Sequence, residues 1–444
     1  MDVFLLPKKK LTSFQIIILG FLGVILLGTI LLMLPLSNKD GCVTPFLDAL
    51  FTSTSAVCVT GLVLHDTATY WSMFGQLVIM ILIQIGGMGV ITVAAAFALI
   101  SGRKISLMQR STMQEAISAP KVGGIVRLTS FIIKTTLLIE LAGAAFMTPV
   151  FCRDFGAKGL WMALFHSISA FCNAGFDLMG ARASFSSLTS YAEEPVINLT
   201  IMLLIIIGGI GFLTWDDIRS NRLHLHQYRM QSKIILCTTA LLLAAPAVYF
   251  FFFEFGSLEP KKRILASLFQ SVTPRTAGFN TVDLASLSEA GQCITIVLML
   301  IGGSPGSTAG GMKTTTVSVL FATAISTFRR QESAHFFGRR IDDDVVKNAA
   351  TILVMYLALF FFGGLTISIA EKLPMLTCLF EAASAVGTVG LSLGITPGLG
   401  IMSKIILITL MFCGRVGGLT LIFAALSGAK KNVSKYPREK VTVG

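Results

Sequence analysis

The sequence predicts an all-α integral membrane protein, built from four tandem helix, pore loop and helix repeats with pseudo-fourfold symmetry around one central pore. Of its 444 residues, 54% are hydrophobic and only 13% are charged, whereas a soluble domain has about 25% charged residues. Several apolar runs reach the roughly 20 residues that a helix needs to cross a bilayer. In addition, one short pattern occurs four times along the chain.

The repeated pattern begins with Phe, has Ser or Thr four residues later, and ends in Gly followed by Leu or Phe. Its copies are FTSTSAVCVTG (51–61), FHSISAFCNAG (165–175), FQSVTPRTAG (269–278) and FEAASAVGTVG (380–390). The final glycines of successive copies are 114, 103 and 112 residues apart. Four similar units therefore tile the chain.

The predicted units cover residues 1–100, 101–231, 232–340 and 341–428, with a tail at 429–444. In each unit we expect a spanning helix, a short helix that enters the membrane without crossing it, a Gly turn and a second spanning helix. The short helices are predicted over residues 45–57, 160–171, 264–272 and 374–385. In the first unit the spanning helices are predicted over 11–36 and 70–100, and eight spanning helices are expected in all.

The positions of Lys and Arg predict the orientation. Most of the 35 basic residues fall in five clusters, at 8–10, 103–127, 219–233, 329–347 and 430–440. If the N-terminus is cytoplasmic, all five clusters lie on that side, as the positive-inside rule requires. Both termini are then cytoplasmic and the four Gly turns face outward. This topology also accounts for the net charge of +12, so we expect no nucleic-acid partner.

The remaining composition excludes other site classes. The eight cysteines are scattered without CxxC spacing, which argues against a metal site or a disulfide framework. Nothing arranges a nucleophile, a base and an orienting group, so we expect no enzymatic activity and no bound cofactor. No polar stretch is long enough to form a soluble nucleotide-hydrolysing domain, and a non-conducting scaffold subunit would not need four copies of the pattern.

The four Gly turns predict a cation-selective filter. Short helices whose C-termini point at one centre place partial negative charge there, and Gly allows backbone conformations in which carbonyl oxygens turn inward. Rings of carbonyl oxygens can replace the hydration shell of potassium. Glycines used only for close helix packing are the alternative. The predicted filter residues are Val59, Thr60, Gly61, Asn173, Ala174, Gly175, Thr276, Ala277, Gly278, Thr388, Val389 and Gly390.

On these four repeats the chain resembles the Trk/Ktr/HKT superfamily of potassium transporters over nearly its full length, and most closely the membrane subunit of bacterial Ktr systems. Residues 388–390 (TVG) are similar to the potassium-channel signature, and TPRTAGFN at 273–280 is particularly close. The resemblance implies potassium uptake, a homodimer in the cell membrane and a cytoplasmic nucleotide-binding RCK ring as regulator. Glycine at position 61 favours potassium over sodium by the same resemblance. Coupling or activation by sodium, or coupling to protons, is left open.

A second element interrupts the last helix of unit three, where GGSPGSTAGGMKTTT (302–316) follows an apolar run. So many Gly, with Pro, cannot form a regular helix, and irregular backbone at membrane depth must line protein or a water-filled cavity. We expect an intramembrane gating loop, as the resemblance also implies. A phosphate-binding loop and a purely structural kink are the alternatives. The predicted gating residues are Gly302, Gly303, Ser304, Gly306, Ser307, Thr308, Gly310, Gly311, Lys313 and Arg415.

Charges inside apolar runs are the remaining candidates. Arg415 is expected to face the pore below the filter and contact the loop, with a purely structural tie as the alternative. Lys313 has a similar status but can also snorkel to the cytoplasmic side.

Asp66, Asp177 and Asp283 follow the Gly turns, where they could ring the outer mouth or cap turns. The partner of Glu140 is left open between Lys134 and another helix.

Overall fold

The fold consists almost entirely of helices, many of them apolar. The structure is a computed structural model that describes residues 12–101, 105–117, 123–222, 224–418, 420 and 439. The basic cluster at 8–10 and the predicted tail, apart from Glu439, lie outside the described residues. A two-stranded antiparallel hairpin, β1 (His335–Phe336) and β2 (Arg339–Arg340), is a departure from the all-α prediction.

The helices, in chain order, are α1 (Ser13–Met33), α2 (Phe46–Val57), α3 (Thr67–Tyr70), α4 (Met73–Met88), α5 (Val90–Ile100), α6 (Leu107–Ile117), α7 (Ile125–Phe155), α8 (Lys158–Phe171), α9 (Pro195–Gly209), α10 (Phe212–Asn221), α11 (Met230–Tyr249, continued by a π-helical turn Phe250–Glu254), α12 (Pro260–Val272), α13 (Glu289–Leu300), α14 (Thr314–Phe328), α15 (Asp343–Glu371), α16 (Met375–Gly387) and α17 (Ile401–Val416).

The four predicted short helices are all present, as α2, α8, α12 and α16. Three end at the predicted residue, and the fourth extends two residues further, to Gly387. Each follows a long apolar helix, namely α1, α7, α11 or α15. Most of the C-terminal half of each short helix is buried. The leading Phe of each copy of the pattern lies in the core, with at most 1% of its surface exposed (Phe51, Phe165, Phe269 and Phe380).

The long helices present apolar side chains to the outside. On α1, for example, Leu26, Leu27 and Ile30 are 51–61% exposed, which suits a hydrocarbon solvent and not water. By length and hydropathy, four of the described helices could span a membrane, or up to six if two bent helix pairs each count as one span. In units one and two, the second predicted span is divided by the breaks described next.

The prediction of one continuous helix over 70–100 is wrong. The chain forms α4 and α5 instead, which meet at 96° across Gly89. Gly89 has φ +85, a conformation that a helix cannot contain and that side-chain-bearing residues rarely adopt. In unit two, α9 and α10 are also bent by 96°, with Gly211 at φ +93 between them.

Polar side chains join neighbouring units across the bundle. Trp161 of unit two donates a hydrogen bond to Gln76 of unit one at 3.0 Å. At the other seam, Lys404 of α17 forms an ion pair with Asp48 of α2 at 3.0 Å, and His65 lies 3.2 Å from the same carboxylate. The last unit therefore contacts the first, and the four units close into a ring.

Candidate functional site

The four Gly turns have one backbone geometry. We call the three-residue segments 59–61, 173–175, 276–278 and 388–390 the corners. The first residue of every corner has a positive φ although it is not Gly (57° at Val59, 59° at Asn173, 66° at Thr276 and 52° at Thr388), and the final Gly has φ between 71° and 91°. The left-handed conformation is costly for the first residue of each corner, which has a side chain, and not for the Gly. A strain that recurs four times indicates a shared functional requirement.

The corners contact one another in a closed circle, which we call the corner ring. A methyl group built on Gly61 would lie 2.4 Å from the Ala174 oxygen, and one on Gly175 would lie 2.7 Å from the Ala277 oxygen. Likewise Gly278 faces the Val389 oxygen at 2.4 Å, and Gly390 faces the Thr60 oxygen at 2.2 Å. Only a residue without a side chain fits at these four positions.

The Ser or Thr of each copy holds its corner in place. In the first and fourth copies the hydroxyl accepts a hydrogen bond from the backbone N–H of the corner Gly. The distances from Gly61 N to Ser55 Oγ and from Gly390 N to Ser384 Oγ are both 3.0 Å. In the second and third copies, Ser169 and Thr273 instead donate to the carbonyl oxygen of the Phe that follows the Gly, at 2.7 and 2.5 Å. The two arrangements also differ in the residue after the Gly, which is Leu in the first and fourth copies and Phe in the second and third (Leu62, Leu391, Phe176 and Phe279).

The corner ring is formed by backbone and uncharged side chains. Every side chain in it is at least 99% buried. Asn173 donates to the Thr276 hydroxyl at 3.2 Å, while the hydroxyls of Thr60 and Thr388 have no partner among the described residues. Because the short helices end at the corners, their negative C-terminal ends lie beside the ring. This environment favours a cation.

Outside the ring is a cavity of about 260 Å³, lined by the four corner glycines together with Asp66, Asp177 and Asp283. The carboxylates also organise the turns: Asp66 accepts from Ala68 N and Thr69 N, Asp177 from Met179 N and Asp283 from Ala285 N. The turn-capping interpretation of these acidic residues is therefore confirmed, and their role in concentrating cations at the mouth stays a prediction. Burial raises the pKa of Asp177 to about 7.

Residues 301–313 form an irregular segment in unit three, between the end of α13 at Leu300 and the start of α14 at Thr314. The predicted segment 302–316 is therefore present, except that residues 314–316 are helical. The loop touches the ring: a methyl group on Gly310 would lie 2.1 Å from the Thr388 hydroxyl. It is also tied to unit two, because Thr308 Oγ1 donates to Phe171 O at 3.0 Å and Phe212 N donates to Gly306 O at 2.7 Å. The loop therefore lies directly against the ring and is held to unit two.

Arg415 joins the loop to two other units. Its guanidinium donates to the carbonyls of Thr308 in the loop and Gly86 in α4, and to Gly87 O at 3.2 Å. Among the residues that the structure describes, Arg415 has no carboxylate partner, and carbonyl oxygens surround its positive charge. The prediction that Arg415 contacts the loop is confirmed. Lys313 turns back on the loop and donates to Ala309 O at 2.8 Å.

A second fourfold pattern was missed in the sequence. It reads GGMG at 86–89, GGIG at 208–211, GGSP at 302–305 and GRVG at 414–417. In three units its first Gly lies against a carbonyl near the end of the short helix, with 2.1–2.2 Å from a built methyl to Val57 O, Phe171 O or Val386 O. In unit three, Gly302 instead faces Gly310 O of the loop. Arg415 stands where the other units have Gly. We call residues 302–313 together with Arg415 the loop layer.

Glu140 finds its partner on another helix. Its carboxyl accepts from Gln84 Nε2 of α4 at 3.1 Å, and its backbone oxygen accepts from Ser167 Oγ of α8 at 2.6 Å. Lys134 is exposed on α7 and is not among these partners. Of the two partners considered for Glu140, the structure therefore supports the second, a residue of another helix. The contact joins units one and two behind the corner that contains Asn173.

Comparison with known proteins gives a consistent result. The sequence profile of TrkH, described as a cation transport protein, matches residues 5–435. The potassium/sodium uptake protein NtpJ of Enterococcus hirae is 40% identical over 98% of both chains. The Ktr system potassium uptake protein B of Bacillus subtilis is 39% identical over 98% of this chain and 97% of the relative. The protein of that name from Vibrio alginolyticus is 36% identical, over 98% and 96%.

The fold has a counterpart among solved structures. The crystal structure of the potassium transporter TrkH from Vibrio parahaemolyticus superposes with a TM-score of 0.74 at 20% identity, over 95% of this chain and 86% of that one. At this identity the likeness shows the fold alone. The profile match and the relatives confirm the resemblance inferred from the four repeats, and the chain belongs to the TrkH family of cation transport proteins, a family of transporters and not of enzymes.

Proposed function

We propose that this protein takes up potassium across the cell membrane, through a pore whose selectivity filter is the corner ring. The observation that carries the proposal is the closed circle of four strained corners, each with its Gly against the carbonyl of the next. The four units then have pseudo-fourfold symmetry about the ring. The names of the relatives, which specify potassium or potassium and sodium, support the choice of ion.

The chemistry of the ring favours a weakly hydrated monovalent cation. An ion that enters must exchange its water for carbonyl oxygens, and the negative ends of four short helices compensate for that loss. The absence of any carboxylate within the twelve corner residues fits this role, because a ring of carboxylates would attract divalent cations more strongly than monovalent ones. Sodium acts in this proposal as a coupled or activating ion and not as the main substrate.

The loop layer is proposed as the gate. It lies directly behind the ring, and on its far side a cavity of about 240 Å³ is lined by Lys313, Arg415 and Tyr356 among others. In this arrangement the loop and the guanidinium close the path between that cavity and the ring. Opening requires the loop to leave its ties to Phe171, Gly208 and Arg415.

Topology and assembly complete the proposal. The basic clusters place both termini and the loop layer on the cytoplasmic side and the acidic mouth outside. The resemblance to Ktr membrane subunits supports a homodimer regulated by a cytoplasmic RCK-type ring, which would bias the gate through the basic loops. Eight spans result if each bent or interrupted second helix counts as one.

The filter assignment is tested with Gly278→Ser. The new side chain would meet Val389 O at 2.4 Å at a residue whose φ is +82, so the carbonyl circle must deform. We expect the ratio of potassium to sodium flux in proteoliposomes to fall by roughly tenfold, equivalent to about 1.4 kcal/mol of discrimination. Gly398→Ser is the matched control, because nothing lies within 4 Å of that position.

Growth of a potassium-uptake-deficient cell, with this chain alone and with a candidate regulatory partner, tests the transport proposal itself. Rescue at low potassium that Gly398→Ser retains is the expected result. If neither chain nor complex moves potassium, the transport proposal fails. If potassium moves but Gly278→Ser keeps the selectivity of the wild type, transport stands and the filter is elsewhere.

A further inference from the structure

A cavity of about 640 Å³ lies away from the pore, where the N-terminal end of α7 meets α10. Its walls combine basic, polar and apolar side chains, including Arg127 and Phe131 of α7, Asp216, Arg219 and Ser220 of α10, and Arg229, which precedes α11. The N-terminal end of α7, the C-terminal end of α10 and the start of α11 all lie on the side of the bundle where the basic loops are found. The cavity is therefore at the boundary between the membrane and that aqueous phase.

The charges around this cavity are not balanced. Arg229 is neutralised by Asp216 at 3.0 Å and Asp217 at 3.4 Å. Arg219 instead lies over the ring of Phe131, 4.7 Å from its centroid. Among the residues that the structure describes, neither Arg127 nor Arg219 has a carboxylate partner, and both are exposed. Two guanidinium groups thus remain available for an anion, and guanidinium binds phosphate oxygens in a bidentate manner.

The outer face of α7 connects the cavity with the lipid. At 3.6 residues per turn, Arg127, Phe131, Lys134, Leu138 and Leu141 fall on one face of the helix, and Leu138 and Leu141 are 68% and 61% exposed. Ile132 and Thr136 lie on the opposite face and are fully buried. From Arg127 to Leu138 the helix rises about 16 Å. This stripe of residues therefore begins with two helical turns that contain basic side chains and continues as an apolar surface that faces the lipid.

We propose that this cavity binds the headgroup of an anionic phospholipid. Arg127 and Arg219 hold the phosphate, Phe131 supports the Arg219 guanidinium, and an acyl chain lies along Leu138 and Leu141. Lys134, one turn below Phe131, reaches back along the helix toward the headgroup. Basic pockets between spanning helices at this level are suited to such lipids. The continuity of the stripe favours a lipid over a soluble phosphate, which would gain nothing from the apolar turns.

The test uses the full-length protein in detergent, with native mass spectrometry to count bound lipid. Phosphatidylglycerol is compared with phosphatidylcholine of the same acyl chains. We expect the anionic lipid to bind at least roughly fivefold more tightly, and Arg127→Gln combined with Arg219→Gln to weaken it by roughly 25-fold, about fivefold for each cation. Arg339→Gln combined with Arg340→Gln removes the same charge outside the cavity and should leave binding unchanged.

Three results would overturn the proposal. Phosphatidylcholine could bind as well as phosphatidylglycerol to the wild type, the two double variants could lose lipid equally, or millimolar inorganic phosphate or glycerol phosphate could displace the lipid completely. If the Gln variant does not fold, Arg127→Lys combined with Arg219→Lys replaces it. The Lys pair retains the charge but not the bidentate geometry. An intermediate affinity of this variant for phosphatidylglycerol therefore supports the site, and equal binding of the two lipids by the wild type contradicts it.

Discussion

The corner ring and the loop layer are adjacent, yet they use the four units in opposite ways. In the ring every unit contributes the same strained backbone, the same Gly contact and a hydroxyl brace. At the level of the loop layer, units one and two have only a Gly-rich bend, unit three inserts an irregular segment and unit four places Arg415 where the others have Gly. The difference fits the proposed roles, because a filter surrounds an ion on all sides whereas a gate needs only one obstruction.

Arg415→Gln is the change expected to have the largest effect. It removes a positive charge and weakens hydrogen bonds to three carbonyl groups, each worth about 1.5–3 kcal/mol when charged. The loop should leave its closed position more often, so potassium flux in proteoliposomes should rise by more than about tenfold. Because the corner ring is untouched, the ratio of potassium to sodium flux should stay that of the wild type.

Arg415→Lys separates the two ways in which this residue could act. Lysine keeps the charge but cannot reach three carbonyl oxygens with a planar fork. Wild-type flux in this variant indicates an electrostatic barrier, and raised flux indicates a mechanical tie. A loss of selectivity together with a rise in flux in Arg415→Gln would show that the two regions are not independent, which contradicts the comparison above.

Ser384→Ala and Ser169→Ala test whether the ring is as uniform as its backbone suggests. The first leaves Gly390 N–H buried without its acceptor, which costs about 1–3 kcal/mol. The second removes a donor from Phe176 O, and a carbonyl without its partner is better tolerated than an amide. We expect selectivity to fall roughly fivefold in Ser384→Ala and roughly twofold in Ser169→Ala, measured by the same flux ratio. Equal losses would mean that both braces act alike.

The smallest expected effect concerns the mouth outside the ring. With a pKa of about 7, the Asp177 carboxyl is charged above that pH and neutral below it. As the pH falls from 8 to 6, the mouth loses negative charge, and the apparent affinity for external potassium should fall by roughly twofold at low ionic strength. Asp177→Asn should have the low-pH affinity at every pH. A wild-type pH profile that persists in Asp177→Asn would assign the titration to another group.

Much of the fold could be predicted because the pattern is repeated. A single FTSTSAVCVTG would be a weak signal, but four copies define four short helices, and three of these end at the predicted residue. The leading Phe of each copy lies in the core and the Ser or Thr four residues later braces its corner, roles that the pattern alone did not predict. Likewise the Gly and Pro content of 302–316 was sufficient to predict an interrupted helix.

The breaks and the side-chain partners were not predictable in the same way. One Gly in an apolar helix costs only about 1 kcal/mol, so Gly89 alone does not indicate a bend of 96°. The signal was the GGMG pattern that recurs in unit two as GGIG and in unit four as GRVG, which becomes visible only when the units are aligned. The contact between Glu140 and Gln84 joins residues 56 positions apart, and its existence depends on how the helices pack.

The seam between Lys404 and Asp48 shows that one polypeptide closes the whole circle. Its consequence concerns how many copies of one side chain can lie beneath the ring. Were the pore assembled from four identical subunits, any arginine beneath the ring would be present four times, and the mutual repulsion of four cations would block the path permanently. Because one chain contains all four units, a single cation can lie there, and the proposed gate is then an obstruction weak enough to be removed.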